Sequence, residues 1–483
     1  MENLNIIPAP KSVISGNRSV PVSSGIYEGP FPEAARCLVH FLLKKLPDTP
    51  CRLCDADSAG VRFEKSELLC ADEYRLDITE AGAICTCGGK KGAFCAASTL
   101  LQLALAHEDK MLLPAAAIAD RPDSAYRGLL IDCARSRHSV ENLKRYIDLC
   151  FITKLSQLHL HLTDDENYTL PSRLFPSITT EKFSYSFEDI KELTDYAAAR
   201  GVGLVPEIDT PGHSTAMRTR CPEAFGKNEG IICFHKDTVN SVRALYGELC
   251  DMFGDSEYIH IGGDESRLGW WLDCKDCIDY GRSLGYKEED PAPGMSGNEY
   301  VMLRYLAHFI KESASEVLQA GKTPIAWEGF HKATNDIVPK ECAVMVFDSS
   351  YQLPPSLCEA GFKIINCSWL PTYVVTPVWH YSQKDCFNWD IYSYGTINES
   401  SPYHGGHFRM EPTDSVIGGQ LSSWGDAINK DFPTLEDGLA DEFEKICRRA
   451  PAIAENTWNR EKRRDFADFK EAASRIDKLF ELI

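Results

Sequence analysis

The sequence predicts an α/β protein, a (β/α)8 TIM barrel preceded by a small α+β domain. Three observations predict it. Eight apolar or β-branched runs recur from Tyr126 onward, helical patterns lie between many of them, and the unusual polar residues fall at the carboxyl ends of the runs. The boundary lies in "LPAAAIADRPDSAYRG", where prolines 114 and 122 and weak periodicity separate residues 1–122 from a barrel over 123–483.

In chain order, the front part mixes short strands ("EYRLDIT", "AGAICTCG") with two helical patterns, "AARCLVHFLLKKL" and "ASTLLQLALAHE". The barrel runs are "YRGLLIDC", "LSQLHLHL", "GVGLVPEI", "EYIHIGG", "TPIAWEG", "AVMVFD", "FKIINCS" and "VIGGQLSSW". Between them lie "SVENLKRYIDLCFITK" with Ser139 as its cap, "SFEDIKELTDYAAAR", and "SGNEYVMLRYLAHFIKE", which opens on a capping box at Ser296 and Glu299. The connections after Asp348 and between Cys367 and Val416 are long and irregular.

Composition narrows the function classes. A formal net charge of -20 argues against nucleic acid or an anionic membrane as partner. No apolar run reaches the length of a membrane span, and "MENLNIIPAPK" lacks the features of a secretory signal. The 19 cysteines are scattered through apolar segments, as in a reducing cytosol, so a soluble cytoplasmic protein is expected. Two clusters resemble metal sites, "CTCGGKKGAFC" and "CKDC" (Cys274, Cys277). Neither has a second half at zinc-finger spacing, and no metal or cofactor is assigned. The first reads as a hairpin, "AICTCG" and "GAFCAA" around a Gly-Lys-Lys turn. Oligomeric state leaves no mark in the sequence.

In a barrel of this kind chemistry sits at the carboxyl ends of the strands. Strand one ends with Asp132 and Arg135, and strand two with His159, His161, Asp164 and Asp165. Strand three ends with Glu207, Asp209 and His213, strand five with Trp327 and Glu328, and strand eight with Trp424 and Asp426. Strand four runs into "HIGGDE". Consecutive side chains on a strand point to opposite faces, so Asp264 and Glu265 can share a site only if the backbone leaves strand geometry at Gly262-Gly263.

Each motif has a competing structural reading. Paired carboxylates serve glycoside hydrolysis, a metal site or a satisfied polar cluster. His159 and His161 share a face with Gln157, either as lumen packing or as the start of a metal site. Tryptophans 327, 369 and 424 suit core positions or an aromatic box for a sugar face. His213 is a loop-packing residue or an oriented partner of nearby acids.

The ordered set "RGLLIDCARSRHSVENLKRYID", "KLSQLHLHLTDDENY", "LVPEIDTPGH", "HIGGDE" and "GGQLSSWGD" resembles family 20 glycoside hydrolases, the β-N-acetylhexosaminidases. "NIIPAPKSV" and "GAFCAASTLLQL" resemble that family's small non-catalytic domain. The resemblance implies exo-acting, retaining hydrolysis of terminal β-linked N-acetylglucosamine or N-acetylgalactosamine from oligosaccharides or glycoconjugates. The substrate's acetamido oxygen attacks its own anomeric carbon, giving an oxazolinium ion.

On that pattern Glu265 is acid then base, Asp264 orients the acetamide, and Asp164 or Asp165 with His213 supports Glu265. Arg135 grips sugar hydroxyls, Trp327 and Trp424 wall the acetamide pocket, with Trp369 a lesser candidate for sugar contact, and Tyr373 holds the acetamide carbonyl. Asp426 stands where the family usually has glutamate, which leaves the gluco or galacto preference open, and "SWLPTYVV", which carries Tyr373, stands where the family commonly shows Tyr-x-Asp. Like-charge proximity and an apolar wall are expected to raise one carboxyl pKa, favouring protonated Glu265.

Overall fold

The computed structural model describes residues 4–483 apart from 182, 228–229, 290 and 379–380. All eight predicted runs become parallel strands of one closed barrel, at Tyr126–Asp132, Gln157–His161, Gly203–Glu207, Tyr258–His260, Thr323–Trp327, Ala343–Val346, Ile364–Asn366 and Val416–Ser423. The seventh and eighth strands close the ring, Ile364 opposite Val416, and the eighth pairs on with the first, Gln420 opposite Gly128. These strands are buried on both faces, which is why they read as nearly continuous apolar runs.

The helices between them form where apolar residues recur at helical spacing behind a capping residue. Val140–Thr153 starts at Ser139, whose side chain accepts from the Asn142 amide, and Phe187–Ala198 starts at a reciprocal Ser186–Asp189 box. At Gly297–Gln319 the Ser296 side chain accepts from the Glu299 amide. Between the fifth and sixth strands the described residues form only a short 3-10 turn, Lys332–Thr334. The irregular stretch before the eighth strand builds a two-residue strand, Tyr373–Val374, which pairs outside the ring with Ser422 and Ser423.

The lumen is filled by inward residues that form a cluster distinct from the outer core, among them Tyr126, Val205, Tyr258, Ile325, Trp327 and Met345. The barrel is therefore packed shut below its carboxyl-terminal mouth.

The amino-terminal domain is a mixed sheet carrying the helices Pro32–Lys45 and Lys90–Leu103. Here the predicted hairpin is corrected. Gly82–Cys87 does form a strand, but its antiparallel partner is Tyr74–Thr79, and "GAFCAA" belongs to Lys90–Leu103. Small side chains allow that helix close to the sheet: a Cβ on Gly92 would lie 2.5 Å from the Glu73 carbonyl oxygen.

Asp120, the last residue of Lys110–Asp120, ties this domain to the barrel. It accepts from Tyr74 Oη at 2.9 Å and Trp458 Nε1 at 2.9 Å, and lies 3.5 Å from the ammonium of Lys154, which is fully buried. Asp120→Ala strips Lys154 of its counter-charge and is expected to cost about 3–5 kcal/mol in urea unfolding. An unchanged midpoint would contradict this account of the domain junction.

Candidate active site

The loop after the fourth strand settles how adjacent acids share one site. Gly262 (φ +71°) and Gly263 (φ +110°) leave strand geometry, and Glu265 itself adopts φ +42°. A side chain at Gly262 would place Cβ 1.9 Å from Asp209 Oδ1, while the Gly263 amide donates to that same oxygen at 3.3 Å. The strain at Glu265, of order 1–3 kcal/mol, is held by these contacts.

Asp264 and Glu265 both open on a cavity of about 360 Å³ at the carboxyl end of the barrel. Arg135, Asp164, His213, Trp369, Tyr373, Trp424 and Asp426 also line it, so nine of the predicted site residues meet in one place. A larger cavity, about 460 Å³, lies at the other end around Lys154 and Gln157, remote from the paired acids.

Two predicted residues lie elsewhere. Asp165 is exposed and accepts from the Thr215 amide at 2.9 Å, so Asp164 is the aspartate that meets His213, at 3.2 Å from Nδ1. Trp327 does not line the cavity. As the last residue of its strand it points into the lumen, donates from Nε1 to Glu207 at 2.6 Å, and lies beneath Phe347 and Trp424, ring centroids 5.7 and 6.0 Å away. Phe347 takes the wall position expected of Trp327.

A chain of charges runs from the barrel axis to the cavity. Glu207, fully buried, lies 2.6 Å from His161 Nδ1, 2.9 Å from His260 Nδ1 and 3.1 Å from His159 Nε2. Burial opposes its charge, but the three imidazoles outweigh burial and hold the carboxyl well below its usual range. Burial presses His159 down to about 4, so it is neutral. His161 is held well above the usual range because Glu207 and Asp164 overcome its burial.

Asp164 then accepts from His161 Nε2 at 3.0 Å and from Arg135 at 2.5 Å, and is kept ionised against burial by His161, His213 and Arg135. His213 reaches Glu265 at 3.4 Å from Nε2, and surrounding acids, Asp209 foremost, hold it protonated against burial. The order is minus, plus, minus, plus, minus, ending on Glu265.

This order reverses the expected protonation of the acid pair. Glu265 is lowered, chiefly by its hydrogen bond to His213, whereas Asp264 is raised, chiefly by burial. The expectation weighed the two acids against each other and missed that Glu265 is half-exposed beside an imidazolium while Asp264 is 9% exposed. Burial, and after it Asp264, push the Asp209 carboxyl up, and the hydrogen bond between the two acids partly offsets the rise at Asp264. Oδ1 of Asp264 has no hydrogen-bond partner among the described residues.

Arg135 is positioned by Asp132, which accepts its Nη1 at 2.9 Å and the Gly425 amide at 3.1 Å, joining the first and eighth strands. Its guanidinium lies over Trp424 at 5.5 Å and 3.6 Å from Asp426. Opposite the charges stand Phe347, Trp369, Tyr373 and Trp424, with the Trp369 and Tyr373 rings 5.7 Å apart. The sequence places His161, Glu207 and Asp209 at strand ends without giving them a role, and it leaves Phe347 unmarked, although Phe347 sits just beyond the end of Ala343–Val346.

The amino-terminal part matches the model of glycosyl hydrolase family 20 domain 2 over residues 3–121, and the rest matches that family's catalytic domain over residues 125–461. The chain belongs to glycosyl hydrolase family 20. Similar curated proteins include the beta-hexosaminidase of Akkermansia muciniphila, 31% identical over 286 residues, and that of Vibrio furnissii, 28% identical over 346 residues. The matched segments cover 53% and 64% of this chain and about half of each relative, 55% and 54%. Among solved structures of the family's fold, the exo β-N-acetylglucosaminidase of Vibrio harveyi superposes with TM-score 0.79 at 22% identity, covering 99% of this chain and 77% of that one. The β-N-acetylhexosaminidase of Bacteroides fragilis superposes with TM-score 0.79 at 21% identity, covering 99% and 95%.

The charge chain gives this family member a two-sided pH dependence. Glu207 and Asp164, held low, lend stability that is complete above about pH 4 and lost as pH falls through their native values. His161 and His213, held high, lend stability complete below about pH 6.5 and lost as pH rises through their native values. Glu207→Gln leaves His161 buried beside a neutral group and should cost about 3–5 kcal/mol in urea unfolding at pH 6. A loss under 1 kcal/mol would show that Glu207 is not ionised.

Proposed function

We propose that this protein is an exo-acting, retaining β-N-acetylhexosaminidase that removes terminal β-linked N-acetylglucosamine or N-acetylgalactosamine from oligosaccharides or glycoconjugates. The observation that carries this reading is one cavity, large enough for a single sugar, onto which two adjacent acids open in unlike surroundings. The unpartnered Oδ1 of Asp264 accepts the substrate's acetamide N–H, and the Tyr373 hydroxyl donates to the acetamide carbonyl.

The chemistry follows from those positions. The acetamide oxygen forms a bond to the anomeric carbon as the bond to the leaving oxygen breaks and Glu265 gives that oxygen its proton. Water then attacks the same carbon, the oxazolinium ring opens, and the water's proton passes to Glu265. Internal attack of this kind can remove about 7–11 kcal/mol from a barrier. Sugar binding also reverses the resting protonation: covering half-exposed Glu265 removes its water and raises it, and the positive charge growing on the acetamide nitrogen lowers Asp264.

Phe347, Trp369 and Trp424 supply the apolar face for the sugar, and Arg135 with Asp426 meets its hydroxyls. No helix among the described residues is long and apolar enough to cross a membrane. No disulfide joins any cysteine among the described residues, which suits a reducing compartment, and we place the enzyme in the cytoplasm acting on small oligosaccharides. Recovery of the native protein from culture medium would overturn that placement.

With a chromogenic N-acetylglucosaminide, Glu265→Gln and Asp264→Asn should each lower kcat roughly a hundred- to ten-thousand-fold. A thiazoline mimic of the oxazolinium should bind at least about a hundredfold more tightly than N-acetylglucosamine. Near-full turnover by either variant, or equal hydrolysis of the 2-hydroxy glucoside, would sink the mechanism.

His213→Asn removes the cation that lowers Glu265, so the alkaline limb of the kcat/KM profile should move to higher pH as kcat falls. An unmoved limb would mean that His213 does not set the proton affinity of Glu265.

A further inference from the structure

Outside the sugar cavity, the fold completes a constellation that sequence spacing left unfinished. "CKDC" supplies Cys274 and Cys277, Cys274 capping the helix Lys275–Ser283. A third cysteine, Cys233, arrives from the segment that leads into the helix Lys236–Met252. One sulfur from each of the three lies within 4.8 Å of the other two. Tetrahedral ligation with metal–sulfur bonds of about 2.3 Å places ligand sulfurs about 3.8 Å apart, so this spacing needs only a small contraction.

A second observation points the same way. The Phe234 amide donates to Cys277 Sγ at 3.1 Å, so a backbone hydrogen bond already fixes this sulfur beside the other two. Cys233 and Cys277 are buried and Cys274 is partly exposed, which leaves an approach to the cluster from the Cys274 side. A disulfide would use two of these sulfurs and leave the third stranded; a thiophilic cation uses all three.

We propose that Cys233, Cys274 and Cys277 form a three-thiolate site for one soft divalent cation of the zinc class, its fourth position taken by solvent. Each ligating thiol releases its proton to the medium as its sulfur binds the metal. The ion fastens the start of the helix Lys236–Met252 to the loop that begins at Asp264 and Glu265. That junction is already packed: Trp271 Nε1 donates to the Ile232 carbonyl at 2.8 Å, and Phe234 stacks on Tyr305 with centroids 4.6 Å apart. The site is a clamp behind the acid loop and takes no part in bond breaking.

Cobalt(II) is the probe, added to the reduced full-length chain. Uptake of about one equivalent is expected, with a thiolate-to-cobalt charge-transfer band and tetrahedral visible bands that zinc displaces. Cys274→Ser, at the partly exposed ligand, and Cys277→Ser should each weaken cobalt binding at least tenfold. Cys342→Ser, at a buried thiol elsewhere, should leave it intact. Far-ultraviolet circular dichroism of Cys274→Ser should match the parent, so that lost cobalt binding is read as a lost ligand. Absence of the charge-transfer band in the reduced parent, or its survival in Cys274→Ser, would overturn the site. So would a Cys274–Cys277 disulfide in the isolated protein with no metal uptake after reduction.

Discussion

A carboxylate held ionised at the buried centre of a barrel constrains everything above it. Glu207 is fully buried, and it is surrounded by the imidazoles of His159, His161 and His260 and by the indole N–H of Trp327. Of these imidazoles, His161 also touches Asp164, and its positive charge is what passes the requirement outward. Asp164 becomes fixed as an anion, His213 as a cation, and Glu265 inherits a neighbour of known sign. The acid at the cavity mouth is thus set from the barrel floor, three side chains away.

The second constraint is steric. Two adjacent acids reach one cavity because the chain bends at Gly262 and Gly263 and stays bent through Glu265. The bend brings the Gly263 carbonyl so close to Gly329 that a Cβ there would stand 1.7 Å from it. The loop is wedged between the ends of the third and fifth strands, by Asp209 on one side and Gly329 on the other. That rigidity keeps an unpartnered oxygen of Asp264 open for a ligand without letting it turn to a neighbour.

Much of this was legible in the sequence because burial on both faces marks barrel strands as apolar runs, and all eight were found. The acid pair was legible because glycines precede it and the pattern around it is ordered. What stayed hidden depends on packing across long separations. "GAFCAA" has no periodicity that distinguishes a buried helix turn from a strand, and only the sheet beside it decides. Phe347 stands where Trp327 is expected because a strand-end residue faces lumen or mouth according to a register the sequence does not print. The protonation of Glu265 was misread because its partner His213 comes from another strand, and Cys233 joins "CKDC" only through the fold.

The cavity lining falls into two arcs. Ionisable groups come from the ends of the first four strands, Arg135 through Glu265, and rings come from the last three, Phe347 through Trp424, with Asp426 the one acid among them. The titrating groups and the aromatic rings are therefore encoded largely in separate stretches of the gene. Selection, or an engineer, can redraw what the ring arc accepts by altering residues 347–426 while the titrating arc keeps its electrostatic setting.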